Sequence, residues 1–397
     1  MTRGPSSTAP RHRYGFVKPW LIGLFSSVDA VGGAMRRLVP RRPIPGSVHR
    51  VLLINLAHMG DVLMTTPAIA ALARRFPDAE ISMLVGPWGR ETIANHPKIH
   101  EVIEHRAAWF DRARGSPYLA PAEFAALVRR LRRGKFDAAV NFKSFFQENL
   151  AAALAGIPWR VGYGLYGGGF LHTACIPFPW GAHTVEQHLA LVQALGCDPG
   201  DPRLEVFPDV EDRRQAAALL DGAATWVAMH LGAGIPARRW PIERFARLAD
   251  ELVKRLGTRV VIVGGADDLP LVERFRTLTS TPPVVAAGKF GVMGTAALLA
   301  RCAGFVGNDS GPAHLAAAVG VPAVVLFSGT NDVAVWKPWG PRVVTLQEHP
   351  ECAPCGLSVC ARADHACMTW ITVDRVQAVL AGILRAPEHR EPLSAGA

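Results

Sequence analysis

The sequence lacks any uninterrupted apolar run long enough to cross a membrane, and it contains little tyrosine and cysteine. Among 397 residues there are only 4 Tyr and 7 Cys, whereas a transmembrane helix needs about 20 consecutive apolar residues. One apolar run, 313–327, is divided by Gly320 and Pro322, which predict a helix and then a strand. Scattered cysteines in apolar surroundings are typical of small buried side chains. We therefore expect a cytoplasmic protein.

Acidic residues are almost absent from the first 50 positions, where Asp29 is accompanied by nine Lys or Arg. Nine positive charges and one negative charge make this segment +8, out of +10 for the whole chain. The remainder is close to neutral and has no repeated pattern of basic and aromatic residues. This distribution argues against a nucleic-acid partner.

Five apolar residues of the basic segment recur at helical spacing, and they are Trp20, Leu24, Val28, Val31 and Met35. They predict an amphipathic helix with one apolar face. Glycine and polar residues interrupt the segment, so the pattern favours a helix that lies on an anionic membrane surface over one that spans the membrane. The alternative is that the segment packs on the protein's own surface or is a loose tail.

Alternating apolar strands and amphipathic helices dominate the rest of the chain. A hydrophobic content of 49 %, with 38 Gly and 31 Pro, indicates a globular α/β protein. Two such series in tandem predict two parallel sheets that face each other across a cleft. The predicted divisions are a basic amphipathic arm (1–47), a first Rossmann-like acceptor domain (48–205), a linker (206–224), a second Rossmann-like nucleotide-sugar domain (225–372), and a C-terminal helix and tail (373–397).

In the first domain the apolar run Val51–Leu56 predicts a buried parallel strand. Gly60 and Asp61 follow it and precede a helix, so Asp61 is expected at the carboxyl end of the sheet, where such proteins bind ligands. The glycine allows a close backbone approach. Two interpretations stay open here, a general base and a helix N-cap.

In the second domain two strands are followed by loops suited to phosphate binding. Asp309, Ser310 and Gly311 lead into a helix with His314 in its first turns, and free N–H groups at a helix start bind phosphate oxygens. The other loop contains Gly232 and Gly234 and is followed by Arg238. Two such loops with an arginine nearby predict a diphosphate site.

Several of these segments together resemble glycosyltransferase family 9, the family of the lipopolysaccharide heptosyltransferases. The resemblance covers about residues 48–385. It implies a GT-B fold and inverting, metal-independent transfer of a sugar from a nucleotide-diphospho-sugar such as ADP-heptose to a lipid-linked glycan. The segments that carry it are Val51–Gly86, 230–245 with its Arg-Trp-Pro, Gly264–Asp268, Asp309–His314 and Cys352–Ile371.

The resemblance also implies roles for individual residues. Asp61 corresponds to the catalytic Asp that deprotonates the acceptor, and the amides of Asp309, Ser310 and Gly311 would hold the diphosphate. Arg238 stands where the family usually has Lys. The positive charge is kept, but a planar guanidinium group replaces a compact ammonium group. Asp268 stands at the place of a ribose-binding acid. No Asp-x-Asp motif follows a strand, so neither a metal nor another cofactor is expected.

Four cysteines near the end of the chain, Cys352, Cys355, Cys360 and Cys367, are spaced as C-x2-C-x4-C-x6-C. The first pair has the spacing of zinc ligands, but four buried thiols in a reducing cytosol suit the pattern equally well. The sequence does not choose between them.

Two other functions are compatible with the same fold. A nucleotide-sugar epimerase uses similar diphosphate loops, and a binding protein held at the membrane could retain the fold after losing catalysis. Release of a new glycoside, of a rearranged nucleotide sugar, or of neither distinguishes the three. The presence of Asp61, Asp309 and His314 together favours the transferase, associated peripherally with the inner membrane.

Overall fold

The computed structural model describes residues 19–37, 47–107, 121–220 and 224–385. Positions 1–18 and 38–46 of the predicted arm, 221–223 of the predicted linker and 386–397 of the predicted tail lie outside the described residues. The chain divides into two compact units, Met1–Pro202 and Arg203–Ala397. Within the described ranges no helix is long and apolar enough to cross a membrane.

The first unit is built on a six-stranded parallel sheet with the strand order β3-β2-β1-β4-β5-β6. Its helices are α1 (Pro19–Arg37), α2 (Met59–Leu63), α3 (Thr66–Arg75), α4 (Pro87–Ile93), α5 (Pro121–Arg133), α6 (Phe146–Leu154) and α7 (Thr184–Gln193), and its strands are β1 (Arg50–Asn55), β2 (Glu80–Val85), β3 (Glu101–Glu104), β4 (Ala138–Asn141), β5 (Trp159–Tyr163) and β6 (Ala174–Ile176).

The second unit has a sheet of the same size with the order β12-β11-β10-β7-β8-β9. Its helices are α8 (Val210–Leu219), α9 (Ile242–Leu256), α10 (Leu269–Arg276), α11 (Val292–Leu299), α12 (Gly311–Ala318), α13 (Val333–Trp336), α14 (Ala366–Thr369) and α15 (Val373–Arg385), and its strands are β7 (Trp226–His230), β8 (Arg259–Val263), β9 (Val284–Val285), β10 (Gly304–Asn308), β11 (Ala323–Phe327) and β12 (Val343–Gln347). The prediction of an α/β chain with two parallel sheets is confirmed.

The central strands form because their side chains are apolar on both sides, as a sheet covered by helices on both faces requires. Residues 51–55 of β1 and all five residues of β10 are buried. The helix α9 shows the complementary pattern, with one face buried and a left-handed glycine, Gly257, ending it. Strands that alternate with such helices must run parallel, and their carboxyl ends then meet at one edge of each sheet.

The N-terminal helix α1 packs on the first unit with one face only. Phe25 and Gly32 lie against the glycine-containing loop 167–170, and Oδ1 of the buried Asp29 accepts a hydrogen bond of 2.8 Å from the N–H of Gly168. On the other face Trp20, Leu24, Val31 and Met35 are all at least half exposed, while Val28 is partly buried. The helix is therefore both a packed element of this unit and the carrier of an exposed apolar stripe.

The segment predicted as a linker is partly helical. The unit boundary falls between Pro202 and Arg203, and α8 packs against α11 inside the second unit. Asp209 caps α8 by accepting a hydrogen bond of 2.8 Å from the N–H of Asp212, and Ala216 is fully buried. This part of the connection thus belongs to the second unit's packing.

Candidate functional site

In the first unit, Asp61 lies just beyond the carboxyl end of β1, within the short helix α2. The sequence predicted one helix after Asp61, but Met59–Leu63 form a short helix of their own before α3. The interpretation of Asp61 as a helix cap is wrong, because His58 is the N-cap of α2 and Thr65 that of α3. The carboxylate instead bonds to a side chain, which leaves it available for chemistry.

The partner of Asp61 is Lys143, which follows the neighbouring strand β4. Its Nζ lies 2.5 Å from Oδ1 of Asp61, and the two side chains are 17 % and 14 % exposed. Asn55, the last residue of β1, donates a hydrogen bond of 3.1 Å to the main-chain oxygen of Asp61 and so holds its backbone. Burial raises the pKa of Asp61, but the charge and hydrogen bond of Lys143 outweigh it and hold the pKa below its usual range.

Aromatic and titratable side chains surround this pair. Tyr166 stacks on Phe145 with ring centroids 4.4 Å apart, and its hydroxyl feels the charges of Lys143, Asp61 and Glu148. Burial lowers the pKa of His188 to about 3, and its Nδ1 lies 3.0 Å from the carbonyl oxygen of Met64. At neutral pH this histidine is uncharged, and a stacked aromatic face next to a carboxylate suits a sugar.

In the second unit, residues after four neighbouring strands converge at the carboxyl edge of the sheet. The strands β11, β10, β7 and β8 lie side by side. Asn308, the last residue of β10, fixes the loop after β7 by donating hydrogen bonds of 3.0 Å to the carbonyl oxygens of Leu231 and Gly232. It also accepts one of 2.9 Å from the N–H of Trp240. The Arg-Trp-Pro segment is thereby attached to the end of β10.

Arg238 is held by three polar partners at this edge. Its Nη1 lies 3.2 Å from Oδ2 of Asp309, and its Nη2 donates a bond of 2.7 Å to Asn331. Its Nε donates a bond of 3.3 Å to Thr330, and Asn331 also donates to Asp309 at 2.8 Å. The guanidinium is thus preorganised and 27 % exposed, as a phosphate-binding group needs to be.

His230 links two other predicted residues. Its Nδ1 lies 2.8 Å from Oγ of Ser310, and its Nε2 lies 3.2 Å from Oδ2 of Asp268. Asp268 also accepts a bond of 2.9 Å from the N–H of Gly265. Burial raises the pKa of Asp268, but the hydrogen bond with His230 outweighs it and keeps the pKa low. Asp268 is therefore an anion beside the loop that contains Gly232.

The remaining predicted residues are divided between the units. Gly311 begins α12, so the first N–H groups of an eight-residue helix face this edge, and His314 lies buried in the same helix. Gly232 is packed so closely that a Cβ would overlap Asp268, whereas Gly234 is exposed with open space around it. Gly60 belongs to the first unit, next to Asp61, and the other predicted donor-binding residues belong to the second.

Sequence reasoning missed Lys143, His230, Asn308 and Asn331 as site residues. Lys143, Asn308 and His230 stand at or just after the ends of parallel strands, the same signal that identified Asp61. Asn331 lies four residues beyond β11 in a loop, and nothing in its sequence context distinguishes it from an ordinary turn residue.

The four clustered cysteines line one small pocket of the second unit, together with His365 and Arg362. All four are free thiols, and only Cys367 is buried, so the interpretation as four buried thiols is wrong for the other three. Across the described parts of the chain no group of three or more His, Cys, Asp or Glu side chains is arranged to hold a metal ion.

Comparisons with known proteins agree with this architecture. A family model described as glycosyltransferase family 9 (heptosyltransferase) matches residues 124–364. Lipopolysaccharide heptosyltransferase 3 of Escherichia coli K12 is 28 % identical over 307 residues, which are 73 % of this chain and 85 % of that protein.

Two solved structures share the fold. A family 9 glycosyl transferase from Veillonella parvula has a TM-score of 0.72 at 24 % identity, covering 85 % of this chain and 97 % of its own. The ADP-heptose LPS heptosyltransferase II of E. coli has a TM-score of 0.69 at 23 % identity, covering 84 % and 98 %. The two-unit fold is thus of the GT-B type.

Proposed function

Since this chain belongs to glycosyltransferase family 9, we propose that it transfers a heptose or a related sugar from a nucleotide-diphospho-sugar to a cell-envelope glycan, with inversion at the anomeric carbon. The chain is a glycosyltransferase. The observation that carries it is Asp61, a shielded carboxylate at the carboxyl end of β1 that is bonded to Lys143.

The proposed reaction is a single displacement. The acceptor oxygen forms a bond to the anomeric carbon while its proton passes to the Asp61 carboxylate. The bond from that carbon to the diphosphate oxygen breaks, and its electron pair leaves with the diphosphate. Attack opposite the leaving group inverts the configuration. A positioned general base typically accelerates such a step by about a hundredfold to ten-thousandfold.

The donor binds to the second unit in this proposal. Arg238 and the first N–H groups of α12 neutralise the diphosphate, and Ser310 and Asp309 support them. The carboxylate of Asp268 accepts a hydrogen bond from the ribose. An ADP-sugar is the donor we propose, because a relative of the same fold is an ADP-heptose heptosyltransferase. Arginine and the helix dipole take the place of a divalent ion.

The test of this function is a product assay with purified protein, an ADP-heptose donor and a truncated lipopolysaccharide acceptor. We expect a new glycoside and one nucleoside diphosphate per transfer, and Asp61→Asn lowers turnover by about a hundredfold or more while donor affinity is kept. Asp78→Asn, an exposed acid of the same unit, is the control. A rearranged free nucleotide sugar, or full activity of Asp61→Asn, contradicts the proposal.

The donor nucleotide is identified separately. Purified protein is screened against ADP-, GDP-, UDP- and dTDP-sugars for thermal stabilisation, because a ligand that binds only the folded state raises its apparent stability. We expect the ADP-sugar to raise the midpoint of unfolding most. A larger shift with another nucleotide reassigns the donor without changing the family.

We also propose that α1 seats the enzyme on the anionic cytoplasmic surface of the inner membrane, where a lipid-linked acceptor is available. Its exposed stripe consists of Trp20, Leu24, Val31 and Met35. Basic residues stand before the helix at positions 11, 13 and 18, in its last turn at 36 and 37, and after it at 41 and 42. Each basic residue near such a surface contributes about 1 kcal/mol. The charge and the stripe together suit reversible attachment.

Sedimentation with vesicles tests this attachment. The full chain is expected to bind phosphatidylglycerol-containing vesicles at low salt, to ignore pure phosphatidylcholine vesicles, and to dissociate as salt screens the charges. Replacing the four stripe residues by Ser removes binding, whereas Ser26→Ala on the same helix does not. If the full chain does not sediment with anionic vesicles at low salt, the stripe does not attach the protein to a membrane.

A further inference from the structure

Lys143 is the closest charged neighbour of Asp61, and the family resemblance gives it no role. The strands β1 and β4 are adjacent and in parallel register, with Ile54 opposite Asn141. Asp61 and Lys143 leave the carboxyl ends of these two strands, so the fold brings together residues 82 positions apart. Both side chains are more than four-fifths shielded from water, which makes their interaction stronger than that of a surface pair.

The contact engages one of the two carboxylate oxygens. Nζ of Lys143 lies 2.5 Å from Oδ1, and within the described residues no other side chain or N–H group forms a hydrogen bond to the carboxylate of Asp61. The backbone is fixed independently, by the bond from Asn55 to the main-chain oxygen. The carboxylate is therefore held at one oxygen and open at the other.

We propose that Lys143 is a positioning residue for the transfer reaction, holding Oδ1 of Asp61 so that Oδ2 is presented, ionised, to the acceptor hydroxyl. This proposal rests on the proposed role of Asp61 as the base. Lys143 keeps its own proton throughout. The acceptor proton passes to Oδ2, the acceptor oxygen bonds to the anomeric carbon, and the diphosphate leaves with the electron pair of the broken bond.

The physical need for a cation at this place follows from burial. A carboxylate shielded from water is destabilised in its charged form, and a protonated Asp61 could not accept the acceptor proton. Burial is the largest influence on the pKa of Asp61 and raises it, so that Lys143 is what reverses the direction. Without the ammonium group the carboxylate would take up a proton nearer to neutral pH.

The other groups that act on Asp61 do not supply this charge. His188, from α7, is neutral because burial lowers its pKa to about 3. Tyr166, from the loop after β5, is also neutral, because burial raises the pKa of its phenol. Glu148, from α6, acts on Tyr166. His58 is exposed to water before α2, which screens its effect. The cation that matters is Lys143.

A merely structural ion pair would also be shielded, so the experiment must separate the two roles. The pH dependence of kcat/KM between pH 5 and 10 is measured for the wild type and for Lys143→Gln, Lys143→Met and Lys143→Arg. We expect the Gln and Met variants to lose about tenfold or more in kcat at pH 7 and to recover at alkaline pH. Without the cation, burial should raise the pKa of Asp61 by several pH units, which brings the acid limb into the measured range. The Arg variant keeps the charge and the wild-type acid limb.

Controls exclude indirect effects. Lys98→Gln, an exposed lysine of the same unit, should leave the profile unchanged, and the KM for the donor should stay the same in all Lys143 variants. The Met variant keeps the volume of the side chain, so its pH profile replaces that of the Gln variant if the Gln variant does not fold. If neither folds, the pH profile of the Arg variant is compared with that of the wild type.

The proposal is overturned by an acid limb that does not move in a folded Gln or Met variant, or by wild-type kcat at pH 7 in either. An acid limb shifted as far in the Arg variant as in the others also overturns it. Wild-type turnover in Asp61→Asn is a different outcome, because it contradicts the proposed role of Asp61 as the base. The two failures are therefore read from different variants.

Discussion

Arg238 and Asp309 form an ion pair in which Nη1 lies 3.2 Å from Oδ2 of a carboxylate that is only 6 % exposed. The carboxylate of Asp309 therefore orients the guanidinium group of Arg238, and we do not expect it to contact an anion directly. Thr330 and Asn331 complete the support. The sequence suggested two separate diphosphate loops. In the structure, hydrogen bonds join them into one network at the carboxyl edge of the second sheet.

The Arg238 network predicts a graded loss of nucleoside diphosphate affinity. Arg238→Ala should weaken binding by about tenfold or more because the charged fork is lost, and Asp309→Asn should weaken it less because the fork remains but is held less firmly. Calorimetric titration with ADP measures both. Arg247→Ala, which removes an exposed pair with Asp374, is the control. Equal affinities in all four proteins would show that this network does not bind the diphosphate.

Gly232 and Gly265 form a matched pair beside the same carboxylate. A Cβ on Gly232 would overlap Asp268, while a Cβ on Gly265 meets nothing within 4 Å. Gly232→Ala is therefore expected to displace Asp268 from His230 and to raise the dissociation constant for ADP about tenfold, with Gly265→Ala within about twofold of the wild type. If both variants bind ADP like the wild type, Asp268 has no part in donor recognition.

Transfer should persist in the presence of EDTA. The proposed neutralisation of the leaving diphosphate depends on Arg238 and the start of α12, and neither needs a divalent ion. Initial rates with and without chelator are compared after dialysis. A sharp loss of activity that Mg²⁺ or Mn²⁺ restores would refute this part of the scheme.

Two buried histidines predict acid lability of the first unit. Burial lowers the pKa of His172 and of His188 to about 3, compared with about 6.5 in the unfolded chain. Below pH 6.5 the unfolded state takes up protons that the folded state does not, so the free energy of unfolding falls as the pH drops towards 3. Each histidine contributes up to about 1.4 kcal/mol per pH unit.

Urea unfolding of the wild type and of His188→Gln at pH 7.5, 6.0 and 5.0 measures this loss. Glutamine keeps a donor for the carbonyl oxygen of Met64 but cannot titrate, so the variant should lose less stability than the wild type over this interval. Identical pH slopes would mean that His188 is protonated in the folded protein.

The packed face of α1 predicts that this helix is not a removable attachment. Asp29→Ala leaves the buried N–H of Gly168 without its acceptor and should cost about 1–3 kcal/mol. The loop 167–170, which follows Tyr166, should then be cut faster by protease. Ser26→Ala, exposed on the same helix, should change neither.

Removing residues 1–45 deletes α1 and these contacts, so we expect the truncated chain to be less stable as well as unable to bind vesicles. If Asp29→Ala and the truncated chain both match the wild type in stability, α1 is an independent arm after all.

Much of the fold followed from local pattern. The strand β1 lies within one residue of the predicted run Val51–Leu56, and the run 313–327 forms part of α12 and then β11, as predicted. Long apolar runs interrupted by glycine and proline leave little choice of structure. Short elements were missed, among them α4 and β3. Such elements carry too few residues for a period to emerge, and they owe their conformation to the sheet or helix on which they pack.

The sequence by itself determined two α/β halves, and it placed Asp61, Asp309 and the loop before Arg238 after strands, since a strand followed by a turn is a local feature. The family resemblance added Asp268. The tertiary structure alone decided their partners. It paired Asp61 with Lys143, Arg238 with Asp309 and Asp268 with His230, and it gave α1 one packed and one exposed face. Those pairings join residues 38 to 139 positions apart, and such distances close only when strands find their neighbours in the sheet, which no local periodicity encodes.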